Sequence, residues 1–281
     1  MEFESYRPLM FSIAYRMLGS AMEAEDVVQE AFLRCREAGE VQHPKAYLST
    51  VVTRLCLDQL KAARVKRETY VGPWLPEPIL TNGGSLGEPS EKTEAAESIS
   101  MAFLVLLESL TPAERAVFLL REVFDYEYSE IAAILGKEET ACRQLFSRAK
   151  KHVTEHRPRF KSTPEEHTRL FNSFLMAINA GDLEGLTSLL AEDVTLWSDG
   201  GGKVTAARHP LHGANTIARF LIGLMRLKTD AMTFEIAEVN GSLALMIYDG
   251  DAINGVMTVE VGDGRVRGVR FVVNPDKLTK M

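Results

Sequence analysis

The feature that most constrains this chain is a change in hydrophobic period along its length. From Tyr6 to about Arg67 apolar residues recur at helical spacing, as in Leu9, Ile13 and Met17 and again in Val27, Val28, Ala31 and Phe32. A second helical stretch runs from about Thr93 to Arg157. After Thr229 the pattern becomes that of strands: Met232 to Val239, Ser242 to Tyr248, Val256 to Val261 and Val266 to Val273. Asn240-Gly241, Asp249-Gly250 and Asp263-Gly264 separate these runs and read as hairpin turns. Helices are expected at about 165 to 180, 182 to 190 and 213 to 227, so the last block is an α+β domain following helical ones.

Two punctuation marks divide the chain. Residues 70–92 hold Tyr-Val-Gly-Pro-Trp-Leu-Pro-Glu-Pro and two Gly-rich turns, a density of Pro and Gly that no regular element tolerates. Arg157-Pro158-Arg159 makes the second break, before Thr163-Pro164-Glu165-Glu166 opens a new helix. The expected organisation is a helical bundle at 1–69, a linker at 70–92, a helical domain at 93–158 and an α+β domain at 163–281. Inside the second helical stretch, Thr111-Pro112-Ala113-Glu114 carries an N-cap, a Pro at the first helical position and a capping-box Glu.

The stretch from Tyr128 to Lys151 has the layout of a helix-turn-helix, with Gly136 at the turn and Ile131, Ala132, Leu135, Ala141 and Leu145 as its expected apolar seam. Its second helix would then expose Glu139, Thr140, Arg143, Gln144 and Ser147 near the start, with Arg148, Lys150 and Lys151 further on. Polar side chains at the entering end of such a helix can read base edges, and cations beyond them can hold phosphates. The competing reading is a solvated charged helix face. A second basic cluster, Lys61, Arg64, Lys66 and Arg67, ends the helix that contains Arg54 and Asp58, where it equally complements a helix dipole.

With 281 residues and a net charge of −7, the chain is not a general coat for nucleic acid, so DNA binding must be local or conditional. Cys35, Cys56 and Cys142 are widely spaced and read as apolar core residues of a reducing compartment, without a disulfide or zinc framework. His152 and His156 lie four apart but without an acidic or Cys partner set, so no metal is expected. No cofactor is expected either. Met1 to Ser5 lacks a secretory pattern and no apolar run reaches membrane-spanning length, which points to the cytoplasm.

Taken together, the motifs resemble those of extracytoplasmic-function sigma factors. Ala24-Glu25-Asp26-Val27-Val28-Gln29-Glu30-Ala31-Phe32-Leu33, His43-Pro44-Lys45-Ala46-Tyr47-Leu48 and Thr53-Arg54-Leu55-Cys56-Leu57-Asp58 look like region 2, and Leu110 to Arg115 with the helix-turn-helix is similar to region 4. The resemblance covers roughly residues 1 to 157 and implies partners: core RNA polymerase on the Asp26, Gln29 and Glu30 face, and promoter DNA on regions 2 and 4. Asp26, Gln29 and Glu30 sit at i, i+3 and i+4, so they share one helix face. A helix-turn-helix protein that binds DNA without polymerase is the alternative, against which the region 2 match argues.

The remaining motifs resemble a subgroup fused to a SnoaL-like domain, a cone-shaped α+β fold: Tyr70 to Pro78, Asp199-Gly200-Gly201-Gly202-Lys203 and Asn274-Pro275-Asp276-Lys277-Leu278. That resemblance implies that the extension tunes sigma activity. Trp74 and Leu75, apolar anchors between prolines, are expected to pack near Asp199 to Lys203 and Asn274 to Leu278, because a stiff segment loses little entropy on docking. The plainer reading is that Trp74 only covers a domain surface. Folds of this type also host isomerases and cyclases, for which Asp199, His209, His212, Tyr248 and Arg270 are the candidate acid–base groups, and the cone could hold a small-molecule ligand. The tight Asp-Gly-Gly-Gly turn and loop placement of the histidines weigh against catalysis.

Overall fold

The structure, a computed structural model, describes residues 2–39, 41–81, 98–156, 163–279 and 281. The chain divides into two compact units, Met1–Thr69 with Thr81–Arg157, and Tyr70–Leu80 with Pro158–Met281. The segment expected as a linker over 70–92 is therefore split: its first part, Tyr70–Leu80, packs as a piece of the second unit.

In the first unit, a 3₁₀ turn leads into α1 (Arg7–Leu18), which ends at Gly19 in the left-handed conformation (φ 68°). Ser20 then caps α2 (Ala21–Glu37) by accepting the N–H of Glu23 at 3.1 Å. α3 (Pro44–Glu68) closes the bundle, with Met10, Ile13, Met17, Val28, Leu48, Val52 and Cys56 in its core. α4 (Met101–Leu107), α5 (Pro112–Phe118), a π-type turn at Leu119–Val123, α6 (Tyr128–Leu135) and α7 (Glu139–His156) follow. Thr111 and Glu114 form the capping box that their spacing predicts. α6 ends at Gly136 (φ 61°), the turn of the helix-turn-helix.

The seam of this motif differs in phase from the expected one. Ile131, Ile134 and Cys142 are the buried members, with Ala132, Leu135 and Leu145 at the edge and Ala141 outside the cluster. Cys142, Ala149 and Val153 form the buried stripe of α7, a shift of one residue from the Ala141 register. The two helical segments are joined by polar contacts as well as apolar ones. Arg16, buried, donates to the Ser98 hydroxyl at 3.1 Å and lies over the Phe124 ring. Arg115, also buried, donates to the carbonyl of Met17 at 2.7 Å and pairs with Glu108. Burial pushes the Arg115 guanidinium down to about 9, a measure of what removing it from water costs.

In the second unit, Thr163 caps α8 (Pro164–Ala180) and Asp182 caps α9 (Leu183–Leu189). α10 is Ala214–Met225. The sheet has the order β2-β1-β6-β5-β4-β3, with β1 (Leu190–Asp199), β2 (Leu211–His212), β3 (Met232–Val239), β4 (Ser242–Asp249), β5 (Ala252–Gly262) and β6 (Arg265–Val272). β1 and β6 run parallel and the other neighbours antiparallel. Asn240-Gly241 and Asp263-Gly264 both take positive φ, the two-residue turns that match strand twist.

β1 is absent from the sequence expectation. Glu192 and Asp193 interrupt its alternation, and its pairing with β6 shifts register between Leu190 and Thr195, so no clean period of two is written there. One face of the sheet carries Val194, Leu196, Met257, Val259 and Val269, which pack with Phe171, Phe174, Leu186, Ile217 and Leu221 of the helices. Alternation then puts Trp197, Asp199, Tyr248, Thr258 and Arg270 on the opposite face.

Candidate functional site

On α2, Asp26 and Gln29 are exposed, while Val27, Val28 and Ala31 are buried. Glu30 is half-buried and accepts from Arg34 at 2.7 Å, one turn on. Met22 and Leu33, absent from the sequence-based set, are exposed at 45% and 53% and flank Asp26 and Gln29 on the same stripe. The spacing 22, 26, 29, 33 is the signal that would have found them: an apolar pair on a face that has no core to fill.

On α3, Arg54 reaches across to the helix-turn-helix. Its Nε donates to the carbonyl of Ile134 at 2.9 Å and its Nη2 to that of Ala133 at 3.3 Å, satisfying the C-terminal carbonyls of α6. Nearby, Ser49 and Tyr126 share a buried hydrogen bond of 2.6 Å, and Lys45 lies over the Tyr126 ring. Asp58 and Lys61 are exposed and pair with each other at 2.9 Å. The side chains of Arg64, Lys66 and Arg67 lie outside the described residues.

On α7, Glu139, Thr140, Arg143, Gln144, Ser147, Arg148, Lys150 and Lys151 are all exposed on one connected surface. Its cations are held by neighbours. Arg148 donates to Glu114 at 2.9 Å, Lys150 pairs with Glu122 at 3.1 Å, and Arg143 stands over the Tyr128 ring at 4.3 Å. Burial works to raise the Glu114 carboxyl, but its bonds from Thr111 and Arg148 outweigh it and hold the group below its usual range. His152 and His156 stack on each other, with His152 hydrogen-bonded to Ser109. Among the described residues no cluster of three or more His, Cys, Asp or Glu is arranged to hold a metal, and no helix is long and apolar enough to cross a membrane.

A polar cluster in the second unit is centred on Asp199, which is fully buried. The Tyr70 hydroxyl donates to its Oδ1 at 2.6 Å and the Leu75 N–H to its Oδ2 at 2.8 Å. Lys277 Nζ lies 2.7 Å from Oδ2, and the Gly201 N–H closes the turn to Oδ1 at 3.1 Å. Lys277 also donates to the Leu75 carbonyl and stands over the rings of Trp74, at 4.3 Å, and Tyr70, at 5.0 Å. Asn274, buried, donates to the Tyr70 hydroxyl at 2.9 Å and caps the Pro275–Lys277 turn. Burial, and then the bond to Asp199, raise the Tyr70 phenol above its ordinary value, so it stays a donor. Lys203 pairs with Asp276 at 2.6 Å on the exposed rim. Pro275 is exposed, and Leu278 is buried beside the turn.

The glycines of this turn have a steric reason. A Cβ on Gly201 (φ +60°) would stand 2.3 Å from Asn274 Nδ2, and one on Gly202 (φ +72°) 3.1 Å from Val71. Gly200, buried, would meet Ala206 at 2.7 Å. The other end of the 70–80 segment is tied too. Asn240 accepts the Ile79 N–H at 3.1 Å and returns its own N–H to the Ile79 carbonyl at 3.0 Å, as Leu80 bridges to Val239 at the sheet's edge.

The acid–base candidates do not converge. Asp199 is taken up by the strap, Lys277 and the Gly201 N–H. Arg270 pairs with Glu260 and covers Trp197, and Tyr248 bonds Glu235, all on the sheet face away from the helices. His212 is exposed and bonded to Thr195, and His209 is exposed in a loop. A cleft of about 200 Å³ lined by Leu183, Arg219, Ile222 and Arg226 with Gly181 and Gly223 shares no residue with any of these.

Comparison with known proteins fits this geometry. Sigma-70 region 2 matches residues 3–65, Sigma-70 region 4 residues 100–153, and the SnoaL-like domain residues 171–273. The ECF RNA polymerase sigma factor SigJ of Mycobacterium tuberculosis is 38% identical over 99% of this chain and 92% of its own. A protein of the same organism described as a probable ECF RNA polymerase sigma factor, SigI, is 29% identical over 98% and 93%. The crystal structure of SigJ superposes with a TM-score of 0.79 at 36% identity, covering 99% of this chain and 98% of that one. The chain belongs to the extracytoplasmic-function RNA polymerase sigma factors, which direct promoter-specific transcription initiation, and it carries a C-terminal SnoaL-like domain.

Proposed function

We propose that this sigma factor docks on core RNA polymerase through the α2 stripe of Met22, Asp26, Gln29 and Leu33, with Glu30 at its margin. α3 engages the melted promoter through Arg54, Asp58, Lys61 and the following Arg64, Lys66 and Arg67. α7 reads the upstream element, with Glu139, Thr140, Arg143, Gln144 and Ser147 toward bases and Arg148, Lys150 and Lys151 on phosphates. The second unit regulates initiation by holding Tyr70–Leu80, the segment that joins regions 2 and 4. It acts by clamping rather than by turnover, because Asp199, its most buried carboxylate, spends its acceptors on the strap.

The observation that carries this reading is the convergence of Tyr70, Leu75 and Lys277 on one buried carboxylate, with Asn274 holding the Tyr70 hydroxyl from behind. A strap held this way shortens the free chain between the two DNA-contacting regions, and tether length governs how easily both engage at once. The test is run-off transcription from the gene's own promoter with core polymerase and either full-length protein, a Lys277→Met variant, or a truncation before Asn274. Initiation that depends on the added protein and changes in rate with both variants supports the reading. Equal rates for all three would sink the regulatory part, and a lack of initiation with no binding to core polymerase would sink the polymerase part.

A further inference from the structure

Arg143 is the arginine closest to the entering end of α7, and what orients it lies outside that helix. Its guanidinium stands 4.3 Å from the centroid of Tyr128, the first residue of α6, whereas its ion pair with Glu139 is long, at 3.5 Å. Tyr128 is itself fixed. Its ring meets Phe146 edge-on at 5.9 Å, Phe146 stacks on Phe118 at 6.2 Å, and Phe118 meets Phe103 of α4. Arg121, tied to Glu127 and to the Tyr126 carbonyl, also lies over the Tyr128 ring at 5.2 Å. The same ladder seats a second cation, since Lys150 Nζ lies 5.4 Å over Phe146. Two α7 cations thus rest on rings anchored in the core of the first unit.

We propose that Tyr128 is a positioning residue for promoter reading: it holds the Arg143 guanidinium in place before DNA arrives, so that Arg143 discriminates base pairs at a lower ordering cost. The inference rests on the reading of α7 as the helix that enters the groove. An unheld arginine has many rotamers to lose on binding, and a ring beneath its planar face removes part of that loss in advance. The ring takes the guanidinium face and not its edge, which only the long contact with Glu139 occupies and which is the edge that meets a guanine.

The test is a double-mutant cycle on full-length protein assembled with core polymerase. Binding is measured to a promoter from which the complex initiates, and to versions carrying single base-pair changes across the upstream element. R143A is expected to weaken binding and to flatten discrimination at one or two base pairs. Y128L is expected to weaken binding about two- to fivefold, the size of an exposed cation–π contact, and at those same base pairs only. Y128F, which keeps the ring, should match wild type, and Y128L with R143A should equal R143A alone. In free protein, ¹⁵N relaxation at Arg143 Nε should show the side chain loosened by Y128L and not by Y128F. Y128L weakening all base-pair variants alike, or adding independently to R143A, would overturn the positioning role while leaving the α7 reading intact. R143A with no effect at any base pair would refute both, and that outcome is recognisable because it does not involve Tyr128.

Discussion

Lys277 and Asp199 form a buried ion pair, 2.7 Å from Nζ to Oδ2, whose two members also hold the same residue of the strap: Asp199 accepts the N–H of Leu75, and Lys277 donates to its carbonyl. Removing one partner leaves the other charge buried without its counter-charge, with only neutral partners around it. Asp199→Asn should therefore cost the second unit about 3–5 kcal/mol, read as a lower urea midpoint. Lysine-to-methionine at 277 should cost as much and should speed proteolysis within 70–80. An unchanged midpoint in both would mean that the pair contributes nothing.

Docking on core polymerase gives a prediction that separates neighbours on α2. Asp26→Ala, Gln29→Ala and Leu33→Ala should each weaken core binding by about fivefold or more, the range of a contact worth over 1 kcal/mol, without shifting the melting temperature. Glu30→Ala should cost much less, because Glu30 already faces Arg34 in an exposed pair worth a few tenths of a kcal/mol. Fluorescence anisotropy with labelled protein and core enzyme would rank them. Glu30 emerging as the largest loss would refute the stripe as drawn.

The Ser49–Tyr126 contact joins a region 2 helix to the approach of the helix-turn-helix. Ser49→Ala leaves the buried Tyr126 hydroxyl without this partner and should destabilise the first unit by about 1–3 kcal/mol, whereas Tyr126→Phe should cost less, because Ser49 still donates to the Lys45 carbonyl. The double variant should lose clearly less than the sum of the two. Additive losses would show that the hydroxyls do not depend on each other.

Glu122 restrains a cation that region 4 would use on phosphate. Glu122→Gln should tighten binding of the polymerase complex to promoter DNA and steepen its salt dependence by up to roughly one counterion, since each phosphate contact adds about 0.9 to the slope. A slope that stays the same would remove Lys150 from the set of phosphate contacts.

Legibility in the sequence followed the range of the interactions. The Thr111–Glu114 cap, the Gly136 turn and the Asn240-Gly241 hairpin are local, and local grammar fixes them. The exposed face of α7 was readable because its polar residues repeat at helical spacing. Its buried seam was not, since Ala141 and Cys142 are both apolar and period alone does not choose between adjacent phases. β1 escaped because Glu192-Asp193 and a register shift erase its alternation. The family motifs pointed to the neighbourhood of Asp199, but the burial of an aspartate in a Gly-rich turn is decided by partners 129, 124 and 78 residues away. The use of Arg54 as a cap for α6 is equally remote, at 80 residues.

The sequence distance built into the strap also orders events at the ribosome. Tyr70 is translated 129 residues before Asp199 and 204 before Asn274. At roughly 5–20 residues per second, that second interval lasts on the order of 10–40 s. Both helical segments of the first unit are complete well inside it, before β6 exists to hold β1 or Lys277 to meet Asp199. In a newly made copy the Tyr70–Leu80 segment therefore stays untied until Asp199 and Lys277 have both been made.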